Sequence, residues 1–270
     1  MTTDLELQGP DEPPPVEILR PGAPSRFLLI CDHASNRVPR ALRDLGLTQA
    51  ELARHIAVDI GAAAVTRGLA ERLDATAILT TASRLVVDAN RKPQDPGCTP
   101  AVSDGTRVPA NAGLTEADRQ ARIAAFHTPY HAAVAAEIER REAVGELPIV
   151  IAMHSCTPVM QGFRRPWEIG VLWNEDERLA RPLINALAAR GLVVGDNEPY
   201  SGRDPHGYTL HVHAEPRGLA HVLFEVRQDL IDTQAGVDRW VDILAPVLSA
   251  RLDDPALRRR FEGARPASRG

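Results

Sequence analysis

The chain has 270 residues, 44% of them hydrophobic and 25% charged, with a formal net charge of -5. That is length enough for one large domain with a core, and the mild acidity argues against a nucleic-acid or membrane-surface partner. Its three cysteines, Cys31, Cys98 and Cys156, offer neither a disulfide framework nor a zinc-knuckle spacing, so a reduced, cytoplasmic setting is the simplest reading.

In chain order, residues 1–25 carry six prolines and no apolar h-region of a signal peptide. They read as a mobile arm ahead of a single α/β domain over 26–252. Phe27-Leu28-Leu29-Ile30-Cys31 reads as a buried strand. Thr48 caps a helix, with Glu51 as its capping-box partner, and a second helical pattern covers 56–73 through Ile56, Ile60, Val65 and Leu69. A strand follows at 76–81 and a strand-like run at 85–87. The segment 92–114 holds four prolines and three glycines and reads as a long irregular loop, a kind that often carries function. Thr115, Glu116 and Asp118 open a helix to about 144. Strands at 148–153 and 168–173, a helix over 176–190, strands at 192–195 and 220–226, and a helix over 233–250 complete the body. An Arg-rich helix and tail occupies 253–270. Such alternation predicts a three-layer α/β/α sandwich with a mostly parallel mixed sheet. No apolar run reaches transmembrane length.

Two of the apolar runs stop at a histidine, His33 and His154. In an open α/β sheet, ligands bind beyond the carboxyl ends of the strands. Two imidazoles delivered to that edge point to a zinc with three protein ligands and a water. Asp32 adjoins His33, but adjacent strand residues face opposite ways. Asp59 heads Asp59-Ile60-Gly61-Ala62, where Gly61 permits close backbone approach, and is the candidate third ligand. Its alternative reading is an ordinary helix-start acid favoured by the dipole.

In 83–91, Arg84, Asp88, Asn90 and Arg91 surround a short apolar run. Arginine forks bind carboxylates bidentately, so this cluster is a substrate-carboxylate candidate, with a surface salt-bridge network as the alternative. Glu225 lies within Val222-Leu223-Phe224-Glu225-Val226. An acid there is costly unless paired or functional, and burial moves its pKa towards that of a general base. It shares a face with Arg227, so a plain ion pair is the other option. His127 and His131, one helical turn apart, form a rival metal pair, although Pro129 lies between them. The late loops carry Asn197 and Tyr200, and then His206, His211 and His213, as candidate pocket walls. Cys31 and Cys156 flank the two strand-end histidines; packing is their simplest role, and a cysteine nucleophile is the alternative.

In this order CDHASNRVP (31–39), DIGA (59–62), SRLVVDANR (83–91), PYH (129–131), MHS (153–155), RPWEIGVLW (165–173), NEPYSG (197–202), GYTL (207–210) and FEVRQDL (224–230) resemble the N-formylglutamate amidohydrolase family. The resemblance runs from about Phe27 to Ile231. It implies a fold similar to zinc carboxypeptidases and aspartoacylase-like deacylases, with Zn2+ held by His33, His154 and Asp59. The wider fold has an acid three residues after the first histidine, where this chain has Asn36, so the third ligand stays open between Asp59, Asn36 and another group. Arg84, Asp88, Asn90 and Arg91 match the stretch that binds substrate carboxylate and carbonyl. Glu225 matches the late-strand general base. Asn197, Tyr200 and Arg227 join the implied substrate contacts.

The implied activity is hydrolysis of a small-molecule N-acyl amino acid, N-formyl-L-glutamate foremost, to formate and L-glutamate. Glu225 would be the base, and Arg91 would polarise the carbonyl. A deacylase of a different N-acyl amino acid or peptide, and a non-catalytic binding protein on the same fold, are the alternatives. A homo-oligomer is compatible with the sequence.

Overall fold

Runs such as FLLIC and IVIAMHSC have no polar face to offer solvent, so they require cover on both sides. The computed structural model, which describes residues 7–204 and 207–263, provides it. Strands β1 (Val16–Leu19) and β2 (Phe27–Cys31) come first, then helices α1 (Gln49–Leu52) and α2 (Ala62–Arg72), strand β3 (Thr76–Thr80), and a hairpin of β4 (Val102–Ser103) and β5 (Thr106–Arg107). Helix α3 (Glu116–Arg122), a π-helical turn (Ile123–His127) and α4 (Thr128–Ala143) run on without a break. Next are β6 (Ile149–Cys156), a hairpin of β7 (Val159–Met160) and β8 (Phe163–Arg164), then β9 (Ile169–Leu172), α5 (Ala180–Ala188), β10 (Val194–Asp196), α6 (Tyr208–His213), β11 (His221–Arg227) and α7 (Gln234–Ser249).

The main sheet has seven strands in the order β1-β3-β2-β6-β11-β9-β10. From β3 to β11 the neighbours run parallel. At the edges β1 is antiparallel to β3 and β9 is antiparallel to β11. Alternate strand residues feed two cores, as the period of two requires. Leu29, Cys31, Ile151 and Phe224 pack with α2, α5 and α7, whereas Leu28, Ile30, Ala152 and Leu223 pack with α4 and α6. The result is the three-layer mixed sandwich expected. No helix of the described residues is long and apolar enough to cross a membrane.

Several boundaries differ from expectation. The arm over 1–25 is not all arm. Its residues Val16–Leu19 form β1 and close the sheet edge against β3, because Val16-Glu17-Ile18-Leu19 can alternate on an edge strand. The run 85–87 is not a strand: Val86 N–H bonds Ser83 O in a turn, and the three apolar side chains fill a separate small core with Leu45, Val108 and Phe126. The helix expected from 56 begins at Ala62, because Gly61 adopts a left-handed φ of 79° as its cap. Beyond Asp253 the expected helix is one 3-10 turn, Pro255–Arg258, anchored by buried Leu257. Residues 1–6 and 264–270, and His206, lie outside the described residues.

Gly61 is where the fold sets up chemistry. A Cβ there would stand 2.2 Å from Ile231 O, so only glycine lets the backbone that carries Asp59 pass so close to the segment after β11. Gly61→Ala is expected to cost about 1–3 kcal/mol for the backbone conformation alone, with the clash added. Chemical denaturation checks this: an unfolding midpoint equal to wild type would refute the close-approach role.

Candidate metal centre and active site

Because β2 and β6 are neighbours in the sheet, the chain just past Cys31 and the last turns of β6 meet. His33 follows β2, while His154 lies inside β6, which runs to Cys156, three residues beyond the strand end expected at 153. Asp59 is brought to them by its own backbone, Asp59 N–H bonding His33 O at 3.0 Å. Ligand atoms of His33, Asp59 and His154 all lie within 4.8 Å of one another, and all three residues are buried. Asn36 is turned away and donates to Leu52 O at 3.1 Å; Asp59 is the carboxylate facing both imidazoles.

Each imidazole is engaged at both nitrogens. His33 Nε2 meets Asp88 Oδ1 at 2.7 Å, and His154 Nε2 meets Asp32 Oδ2 at 3.0 Å. Their Nδ1 atoms converge on one atom, Asp59 Oδ2, at 3.3 and 2.8 Å. With protein groups alone, both rings must carry a second proton to make these contacts. Burial opposes that for His154, and the Asp32 and Asp59 carboxylates outweigh it, raising its pKa well above the ordinary value. If each Nε2–H donates to its own carboxylate, as in oriented metal-binding histidines, two Nδ1 lone pairs face one carboxylate oxygen. A divalent cation would then take the place of the two protons. The donor set fits a borderline ion such as zinc.

Asp32 is further fixed by Tyr130 Oη–H at 2.6 Å and Thr209 Oγ1–H at 2.8 Å. Burial pushes its carboxyl up, but the His154 hydrogen bond and the imidazole charges hold it down at about 2. Sequence reasoning passed over Asp32 on strand alternation. The strand ends at Cys31, so alternation does not govern Asp32 and His33; the signal available was an acid adjoining a candidate ligand. Thr209 and Tyr130 carried no sequence signal of their own.

Glu225 stands opposite His154 in the β6–β11 ladder. Its Oε2 is buried with no hydrogen-bond partner among the described residues. Burial, seconded by the Asp59 charge, raises its carboxyl to about 7 against the lowering effect of His154. The ion pair with Arg227 does not form; Arg227 Nε–H donates to Asp229 at 2.8 Å instead.

A cavity of about 260 Å³ opens over these groups, lined among others by His33, Asp59, His154, Glu225, Arg84, Asn90, Arg91 and Tyr200. Arg84 reaches Asp59 Oδ1 at 3.3 Å and Asp88 Oδ2 at 3.0 Å. Three expected substrate contacts do not face the cavity. Asp88 is consumed by His33, Arg84 and the Asn90 N–H. Asn197 Oδ1 accepts from Trp173 N–H and Gly202 N–H, shaping the loop. Arg227 turns to Asp229 because the strand ends there.

The rival histidines serve the backbone. His127 Nε2–H donates to Arg91 O at 3.0 Å and His131 Nε2–H to Ala89 O at 2.9 Å, so His131 Nδ1 accepts from His213 Nε2–H at 2.8 Å. The imidazoles thus hold the segment on both sides of Asn90. The outer His211 pairs with Glu215 at 3.0 Å. Burial raises the Cys31 and Cys156 thiols, Cys156 to about 12, which leaves neither as a thiolate nucleophile.

A family model described as N-formylglutamate amidohydrolase matches residues 25–232. The crystal structure of gene product Atu2144 from Agrobacterium tumefaciens is 37% identical, covering 89% of this chain and 95% of that one, with a TM-score of 0.86. The crystal structure of N-formylglutamate amidohydrolase from Ralstonia eutropha JMP134 is 19% identical over 88% of this chain and 98% of that one, with a TM-score of 0.64, a likeness of fold. No curated protein matches.

Two outcomes follow from the geometry. Asp32→Asn removes the carboxylate that orients His154 and is expected to weaken metal binding about 10- to 100-fold; chelator competition measures this, and unchanged affinity would sink the orienting role. Burial, the main cause, depresses His131 to about 3 and His213 to about 4. Below the unfolded value of about 6.5, the unfolded chain takes up protons that the fold refuses, so this stabilisation is lost as pH falls from about 6.5 towards 4. The double variant His131→Gln/His213→Gln should therefore lose roughly 2–5 kcal/mol less than wild type between pH 7 and 4.5. Equal slopes in urea titrations would contradict it.

Proposed function

The chain belongs to the N-formylglutamate amidohydrolase family and is an amidohydrolase, and from that premise we propose that it hydrolyses the amide of a small N-formyl amino acid with Zn2+ held by His33, Asp59 and His154. N-formyl-L-glutamate, whose products are formate and L-glutamate, is the first substrate to assay. The observation that carries the reading is Glu225: a buried carboxylate with an unpartnered Oε2, across one ladder step from His154.

Bound at the three ligands, Zn2+ supplies Lewis acidity to the substrate carbonyl and to the attacking water. Glu225 takes the proton from that water and later delivers it to the leaving amine nitrogen. Arg91 donates to the carbonyl oxygen as negative charge develops there. The α-carboxylate fits the Arg84–Asn90 side. Asn90 Oδ1 already accepts from Thr209 N–H at 3.0 Å, which leaves the Asn90 amide N–H groups to donate. Arg84 uses three of its N–H groups on Asp59 and Asp88, so part of its fork stays available to substrate. Asp88, as an orienting partner of His33, acts on substrate only through the metal ligand.

Formate release measured with and without a chelator tests this reading. Glu225→Gln should lower kcat about 10²- to 10⁴-fold while bound zinc, measured by elemental analysis, stays stoichiometric. Full activity in that variant, or turnover indifferent to chelation, would refute the mechanism. Inactivation by thiol alkylation alone would point to cysteine chemistry instead.

A further inference from the structure

The cavity does not end at Glu225. Residues 221, 223 and 225 of β11 share one face, and His221, Leu223 and Glu225 all line the cavity, so it follows the strand for about 13 Å. Helix α6 forms the facing wall. It begins beside the substrate segment, where Thr209 N–H bonds Asn90, and leads past Leu210 to Glu215, roughly 10 Å further on. Leu172, paired with Leu223 across the β9–β11 ladder, closes the side. This arm therefore has an apolar stem of Leu172, Leu210 and Leu223 and a polar tip of Asn174, Glu215 and His221.

The tip carries one carboxylate, Glu215, and no guanidinium. Glu215 Oε2 accepts from Asn174 at 3.4 Å and meets His211 Nδ1 at 3.0 Å, and no described residue bonds Oε1. The guanidinium groups lining the cavity, Arg84 and Arg91, both belong to the 84–91 segment at the metal end. A formyl group carries only hydrogen where a longer acyl group carries a carbon chain, so the part of an N-formyl amino acid long enough to enter the arm is its side chain.

We propose that the arm receives the substrate's side chain and that Glu215 selects an apolar stem ending in a cation, making N-formyl basic amino acids the favoured class over N-formyl-L-glutamate. A side-chain ammonium at the tip gains a charge-assisted hydrogen bond to Oε1. A side-chain carboxylate meets a like charge with no guanidinium to offset it. The inference rests on the N-formyl amino acid hydrolase reading above and narrows its substrate.

The test compares N-formyl-L-lysine with N-formyl-L-glutamate as substrates for kcat/KM and, by calorimetry, as ligands. Wild type should favour the lysine derivative at least tenfold, and Glu215→Gln should bring the ratio to within about threefold, with circular dichroism confirming its fold. A wild-type preference for N-formyl-L-glutamate with robust formate release overturns the inference and leaves the hydrolase reading standing. A ratio unchanged in Glu215→Gln overturns it as well. If neither compound releases formate, the hydrolase reading fails and the arm is judged on affinity. Tighter binding of the lysine derivative that collapses in Glu215→Gln sustains it; equal or reversed affinities overturn it.

Discussion

Two buried imidazoles aim their Nδ1 atoms at the same carboxylate oxygen, Asp59 Oδ2, and most of the surrounding structure exists to make that arrangement tolerable. Placing these groups in a dry interior costs free energy unless charges are matched. Asp32 and Asp88 take the outer ring nitrogens, Arg84 spans Asp59 and Asp88, and a cation held at the centre would complete the balance. Each support comes from a different part of the chain. Adjacency of β2 and β6 sets the ring separation, Gly61 lets Asp59 approach, and α4 and α6 secure Asp32 through Tyr130 and Thr209.

The same burial has opposite consequences a few ångströms apart. Asp32 and Asp88 gain imidazole, guanidinium or hydroxyl partners and are held in the ionised form. Glu225 gains none on Oε2, and its carboxyl rises to about 7. Two carboxylate roles thus arise from one environment: partnered acids orient, and the unpartnered acid is free to exchange a proton. The histidines divide in the same way. His131 and His213, with no carboxylate in hydrogen-bond contact, are kept neutral by burial and act as hydrogen-bond donors to fixed acceptors. Both ring nitrogens of His131 and the Nε2 of His127 are spent on structure, which is why a helical spacing that suits metal binding does not make a metal site here.

How much of this the sequence disclosed follows from the range of each signal. The buried strands and the order of the sandwich were legible because long apolar runs can only sit in a covered sheet. His33, His154 and Glu225 were legible because a polar group at the end of such a run, or within it, breaks the pattern. Asp59 was legible through its glycine neighbour. Asp32 was passed over because strand alternation was carried past the strand's end at Cys31. Asp88 was assigned to substrate because it lies in the Arg84–Arg91 stretch that the resemblance links to substrate, whereas its carboxylate is taken up by His33, Arg84 and the Asn90 N–H. Thr209 lies 119 residues from Asn90 and Glu215 lies 41 from Asn174, and no local pattern announces such partners.

The charged motif residues gather at the metal end, where charge matching leaves little freedom: moving any one of Asp32, Asp59, Asp88 or Arg84 strands another buried charge. Leu172 and Leu210 of the arm also belong to the motifs that carry the resemblance, whereas Glu215 and His221 at its tip lie outside them. The far arm is under no such constraint. Leu172, Leu210, Leu223 and Glu215 meet the cavity from β9, α6, β11 and the turn after α6, and none of them balances a metal ligand. A change there alters which side chain fits without stranding a buried charge among the groups around His33, Asp59 and His154. Helix α6 joins the two ends physically, since Thr209 at its start ties Asp32 to Asn90 while Leu210 and Glu215 form the arm. A side chain that presses on the arm thus bears on the element that orients both His154 and Asn90, and the fit of the substrate's side chain is coupled to the alignment of the groups that act on its amide.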